Sequence, residues 1–159
     1  MQSLTTTPDS DEVRSLTALL LPLTDRTLML PNVAVAELIP YRAPQTSEGL
    51  PEWFLGLVTW RDLRLPLLSF EVASGEPAVA AGNQARILVL NAQGDRPHVK
   101  FIALLVQGIP RAMKVDSELK AAELPLAKYE LAAVDADGVM AKIPDLLGLE
   151  QLLADNGIV

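Results

Sequence analysis

The stretch that most constrains this chain is Trp53-Phe54-Leu55-Gly56-Leu57-Val58-Thr59-Trp60-Arg61-Asp62-Leu63-Arg64-Leu65-Pro66-Leu67-Leu68-Ser69-Phe70. Two apolar runs flank one Arg-Asp pair, whose charges belong in water. The pattern predicts a β-hairpin with strands over residues 55–60 and 63–70 and a tight turn at Arg61-Asp62. Gly56 lacks a side chain, which suits a bulge or a close backbone approach. Pro66 cannot donate to a ladder, so its strand is predicted to be an edge, or bulged there. Such an edge is a place for another protein to dock.

Similar punctuation divides the rest of the chain. Residues 16–23 and 27–30 read as short strands around the polar turn Thr24-Asp25-Arg26. After Pro31-Asn32, the residues Val33, Val35, Leu38 and Ile39 fit either a strand or a helical turn. Residues 40–51 hold three prolines and read as a loop, as do the small residues 73–84. Strands are predicted over 86–91, 100–106 and 109–115, with a bend at Gly108-Ile109-Pro110. One helical turn is predicted within 116–128, ended by Pro125. Residues 130–134 and 139–143 form a hairpin about Asp137-Gly138. A final helix begins at Pro144 and stops before Gly157. About nine or ten short strands with one helix favour small barrels, which hide strand edges.

The 159 residues fit one domain with a sizeable core. No apolar run is long enough to span a bilayer, and residues 1–13 form a polar, acidic tail without the regions of a signal peptide. There is no cysteine, which excludes disulfides and thiolate metal sites. These features predict a cytoplasmic protein. The net charge of -7 argues against nucleic acid and anionic lipid as partners.

Catalytic patterns are missing. His98 is the sole histidine and sits beside a turn, where an exposed imidazole is the plain reading. No nucleophile elbow, phosphate loop or dinucleotide fingerprint occurs. Asp135-x-Asp137-Gly138 lacks the later ligands of a calcium loop and reads as a turn. Glu118, Glu123 and Glu130 read as a solvated face. No enzyme activity, metal or cofactor is expected.

Three segments resemble the CheW-like coupling proteins of bacterial chemosensory arrays, over roughly residues 16–153. Val35-Ala36-Glu37-Leu38-Ile39 is similar to the family's Val-x-Glu-Ile segment. Residues 56–68 resemble its Gly-(apolar)-x-x-x-Arg-Gly-x-x-(apolar)-Pro-(apolar)-(apolar)-Asp stretch. Ala103-Leu104-Leu105-Val106-Gln107-Gly108-Ile109 stands where the family has Gly-(apolar)-(apolar)-Val-Asp-x-Val, and Leu149-Glu150-Gln151-Leu152-Leu153 resembles its closing helix. The family's turn glycine is Asp62 here, its strand-end Asp is Ser69, and its second-half Gly and Asp are Ala103 and Gln107. The sequence also resembles the ChpC-type members of pilus-linked twitching-motility systems.

The resemblance implies a mainly β fold of two intertwined SH3-like barrels with a hydrophobic groove between them. Residues 14–155 would be one domain, the first barrel mainly 26–84, the second mainly 85–143, with strands exchanged and a closing helix over 144–155. It implies a non-catalytic adaptor coupling methyl-accepting chemoreceptor tips to the regulatory domain of a CheA-type histidine kinase, with other CheW-like proteins as further partners. The place would be the cytoplasm, at polar receptor arrays. Val35, Glu37, Trp60, Arg61 and Asp62 are the expected partner-binding residues. Glu37 and Arg61 are further expected to form a partly buried, bidentate ion pair. Of Trp53 and Trp60, one is expected in the core and one at the groove rim. The competing reading is a small-ligand-binding regulatory barrel or small enzyme using the pocket between the barrels, which would need convergent polar groups there.

Overall fold

A computed structural model describes residues 15–116 and 119–159 of the chain. The expected tail over residues 1–13, and Glu118, lie outside them. Among the described residues, eleven strands form two sheets. The first sheet takes β1 (Ser15–Pro22), β2 (Thr27–Pro31), β8 (Arg111–Asp116), β9 (Lys120–Ala121), β10 (Glu130–Ala136) and β11 (Val139–Pro144), in the order β8-β1-β2-β11-β10-β9. The second takes β3 (Val35–Pro40), β4 (Phe54–Trp60), β5 (Leu63–Leu68), β6 (Arg86–Asn91) and β7 (Phe101–Val106), in the order β3-β6-β7-β5-β4. A short helix α1 (Phe70–Ala73) follows β5, and α2 (Leu146–Asp155) closes the chain.

The expected division near residue 84 does not follow the sheets. Residues 35–106 build the second sheet alone, and the first is assembled from the two ends of the chain. The reason is long-range pairing. β2 meets β11 in parallel, and β1 pairs antiparallel with β8. The loop over 73–84 therefore separates two strands of one sheet.

Three cores explain the burial. One lies between the sheets and under α2, with Leu21, Leu30, Phe70, Leu88, Leu104 and Leu149. One belongs to the second sheet, with Val58, Trp60, Leu67, Ile87 and Leu105. The third belongs to the first sheet, with Ala18, Leu20, Met29 and Val134. On β6, Ile87 and Val89 face one core while Leu88 and Leu90 face another. A strand buried on both faces reads as an unbroken apolar run rather than an alternating one. β1 does the same with Ala18 and Leu20 against Leu21, while Leu16 is exposed near the strand's start.

The central hairpin forms as its spacing predicts, with Trp60 opposite Leu63. Arg61 and Asp62 both take left-handed conformations, φ 48° and 64°, which is the mirror-image two-residue turn that matches strand twist. Gly56 sits at a register shift with φ 135°, and a Cβ there would lie 2.5 Å from the Gln45 carbonyl oxygen. β5 is not an edge: β4 is, and β7 pairs with β5 on its other side. Pro66 is tolerated because the β7 ladder starts only at Leu67. Its partner Leu57 directs its own N–H and C=O outward to Gln45, so β4 asks no hydrogen bond of Pro66 either.

Other expectations are corrected locally. In place of a helical turn within 116–128, Lys120 and Ala121 pair as a short strand with Asp135 and Val134. Asn32–Ala34 is a 3₁₀ turn and Val35–Pro40 a strand, which resolves the ambiguous segment into both readings in succession. Pro144 ends β11, and Asp145 caps α2 by accepting from the Gly148 N–H at 2.9 Å. Gly157, φ 70°, closes that helix. Glu130 is buried, not solvated: its carboxylate takes Arg26 at 2.8 Å, Lys142 at 2.7 Å and the Ala127 N–H at 2.8 Å. Glu123 is exposed as expected.

Candidate partner-binding site

Strand order places β3 and β4 at opposite edges of the second sheet. The sheet curls until those edges meet, and Glu37 on β3 and Trp60 on β4 join them. The Trp60 Nε1–H donates to Glu37 Oε1 at 2.8 Å. Gln45, in the loop after β3, pairs with Leu57 and covers the outer edge of β4. A curled five-stranded sheet closed in this way leaves little free edge.

Trp60 is 7% exposed, and its ring packs edge-on against Phe101, centroids 4.8 Å apart. The Arg61 guanidinium lies 4.8 Å from the Trp60 centroid, within cation–π range, and its Nη2 is 3.4 Å from the same Glu37 oxygen. The structure thus brings Glu37, Trp60 and Arg61 together. The Glu37–Arg61 contact is neither bidentate nor buried, however, with the two side chains 42% and 71% exposed. The shorter bond to the indole leaves the carboxylate turned toward Trp60. Asp62 is exposed at the tip. Val35 is half-buried against the core between the sheets, separated from Glu37 by a register shift on β3. Trp53 is likewise half-buried there, next to Phe54.

An apolar depression of about 240 Å³ opens between the start of α2, the end of β2 with the turn after it, and β10. Val33, Leu131 and Leu147 stand around it, 82%, 61% and 54% exposed. Val33 belongs to the turn between β2 and β3, Leu131 to β10, and Leu147 to α2. Trp53 does not line it, so neither tryptophan forms its rim. Sequence reading missed Leu131 because a register shift between Glu130 and Ala132 reverses the alternation, burying the glutamate and exposing the leucine. Leu147 had a legible signal: it lies off the Leu146, Leu149, Leu153 stripe of α2.

Residues 17–153 match the family model described as the CheW-like domain. The chain belongs to that family. Among solved structures, it is similar to the scaffolding protein TtCheW from Thermoanaerobacter tengcongensis, with a TM-score of 0.68 and 14% identity over 81% of this chain and 88% of that one. At that identity the likeness shows the CheW-like fold. No curated protein matches. Membership in the CheW-like family supports a coupling-adaptor role. The turn residue Asp62 departs from the family glycine yet holds the left-handed conformation a glycine would take. No helix of the described residues is long and apolar enough to cross a membrane.

Proposed function

We propose that this CheW-like protein is a non-catalytic adaptor. It joins the cytoplasmic tips of methyl-accepting chemoreceptors to the regulatory domain of a CheA-type histidine kinase, within a cytoplasmic array. The observation that carries the reading is the shallow apolar depression beside α2, with three large side chains standing exposed around it. Exposed apolar patches of this kind mark protein contacts. It carries one carboxylate, Asp145, which caps α2, and thus lacks the convergent polar groups of a reaction site. Glu37, Trp60, Arg61 and Asp62 form the second contact region at the closed edge of the curled sheet, with Val35 half-buried at the start of β3 beside it. The departures at Asp62, Ser69, Ala103 and Gln107 support an accessory adaptor, and the resemblance to ChpC-type proteins supports a place in a pilus-linked array.

Pull-down of the purified chain against a receptor tip and a kinase regulatory domain, each alone and then together, tests this. Val33→Glu and Leu147→Glu probe the depression, and Arg61→Glu and Val35→Glu probe the second region. Circular dichroism checks folding. Binding of both partners, each lost in one set of folded variants, is the expected result. Binding of neither at tens of micromolar, about -6 kcal/mol, would overturn the adaptor reading.

A further inference from the structure

The depression beside α2 is assembled from elements far apart in the chain. Val33 comes from the turn after β2, Leu131 from β10 and Leu147 from the first turn of α2. All three side chains stand exposed, so their own packing does little to fix how they lie relative to one another. The closing-helix motif Leu149-Glu150-Gln151-Leu152-Leu153 supplies the missing hold. Leu149 and Leu153 are core residues, and Glu150 between them is buried as well, only 1% exposed.

The Glu150 carboxylate is met by two successive backbone N–H groups. Gln93 donates to Oε2 at 2.5 Å and Gly94 to Oε1 at 2.9 Å. Successive N–H groups make a concave seat for an anion, and the Arg96 guanidinium adds its charge at 3.7 Å. A Cβ at position 94 would lie 2.7 Å from both Glu150 Oε1 and Arg96 Nη1, so the glycine leaves room for the carboxylate. Gln93 is itself part of the depression's wall. Its side-chain amide donates to the Asn91 carbonyl at 3.3 Å, and the Asn91 amide donates to the Val33 carbonyl at 3.1 Å. A polar chain thus runs from α2, through the turn between β6 and β7, to Val33. On the other side, the Asp145 N–H donates to the Tyr129 carbonyl at 2.7 Å, which ties the start of α2 to β10.

We propose that Glu150 is a positioning residue for the depression. Through Gln93 and Asn91 it holds Val33 at a set place relative to Leu147, so that a partner meets an apolar surface already formed. This rests on the reading of the depression as a protein contact. A surface ordered before binding spares the complex the entropy of ordering it. A buried carboxylate suits the task, because moving it would leave both the charge and its N–H donors without partners.

Amide spectra of the isotope-labelled full chain test it. Glu150→Gln replaces one acceptor oxygen by an NH2 group, so one of the two N–H groups goes unmet. Hydrogen exchange at Gln93 or Gly94 should quicken at least about tenfold. The Ala34 amide, which shares its peptide group with the Val33 carbonyl, should shift. Asn91→Ala keeps Glu150 and breaks the last link, and it should shift Ala34 as well. Leu153→Ala loosens α2 with the polar chain intact, and should lower stability without moving Ala34. Changes in Glu150→Gln confined to α2 and residues 93–94, or an equal Ala34 shift in Leu153→Ala, would overturn the proposal. Binding gives the second readout. Asn91→Ala should weaken by at least about fivefold whichever of the receptor tip and the kinase regulatory domain Val33→Glu loses, and leave the other unchanged. Unchanged binding of both would overturn the proposal too. If neither domain binds the unaltered chain, the adaptor reading fails, and the Ala34 shift still decides the positioning.

Discussion

The Trp60 indole N–H donates to the Glu37 carboxylate at 2.8 Å, and this one bond links the two edge strands of the second sheet. Arg61 adds a cation over the same indole ring, with a looser contact to the same oxygen. The order of strength follows from exposure. The indole is buried and its N–H has few alternatives, whereas Arg61 can turn to water.

Trp60→Phe should therefore cost more than Arg61→Ala. The first removes a charge-assisted hydrogen bond and part of a packed ring, about 2–3 kcal/mol together. The second removes an exposed contact worth less than about 1 kcal/mol. Urea denaturation of both variants measures the ranking. A larger loss in Arg61→Ala would mean that the ion pair, not the indole, holds the edges.

Gly56→Ala should be among the most damaging small changes. The added Cβ would sit 2.5 Å from the Gln45 oxygen and 2.9 Å from the Pro44 Cβ, at a φ of 135°. Strain and clash together put the loss at about 3 kcal/mol. The loop carrying Gln45 would lift from β4 and uncover its edge. Greater aggregation on heating, seen by light scattering, is the accompanying sign.

Asp62→Gly should act in the opposite sense. Asp62 holds φ 64° at the second turn position, where glycine meets no Cβ penalty. A gain of about 0.5 kcal/mol in thermal or urea unfolding is expected, because greater freedom of the unfolded glycine offsets part of the relief.

The hairpins were legible because turn chemistry and strand pattern are local. Arg61-Asp62 and Asp137-Gly138 each lie between apolar runs, and both turn as predicted, with Asp135 accepting from the Gly138 N–H. Sheet membership was not legible. β6 and β7 are apolar on both faces, so their sequences do not say which core each face meets. The parallel meetings β2–β11 and β5–β7 join residues far apart in the chain. The site divides similarly. Glu37 and Arg61 stood out through the family motifs. The stronger Trp60 bond and the exposed Leu131 depend on sheet closure and on a register shift.

Glu130 shows the same non-local logic and gives a pH prediction. Burial alone would raise its pKa. The hydrogen bonds from Lys142, the Ala127 N–H and Arg26 outweigh that and hold it below the ordinary 4.5. A depressed carboxylate stabilises the fold fully above its unfolded value, and the contribution is lost as pH falls through the lower folded value. Stability should thus fall on the acid side of about pH 4.5, partly through this residue. Arg26 also links Glu130 to Asp25, which is held low chiefly by its own hydrogen bond from Arg26. Glu130→Gln should flatten that acid limb and cost about 3 kcal/mol at neutral pH, since two partly buried cations lose their shared anion. Urea midpoints of both proteins between pH 3 and 7, a range that spans the carboxylate titration, measure the difference. If the two curves keep a constant gap, the triad does not sense protons. If they converge toward low pH, the buried carboxylate of the first sheet sets the acid limit of the fold.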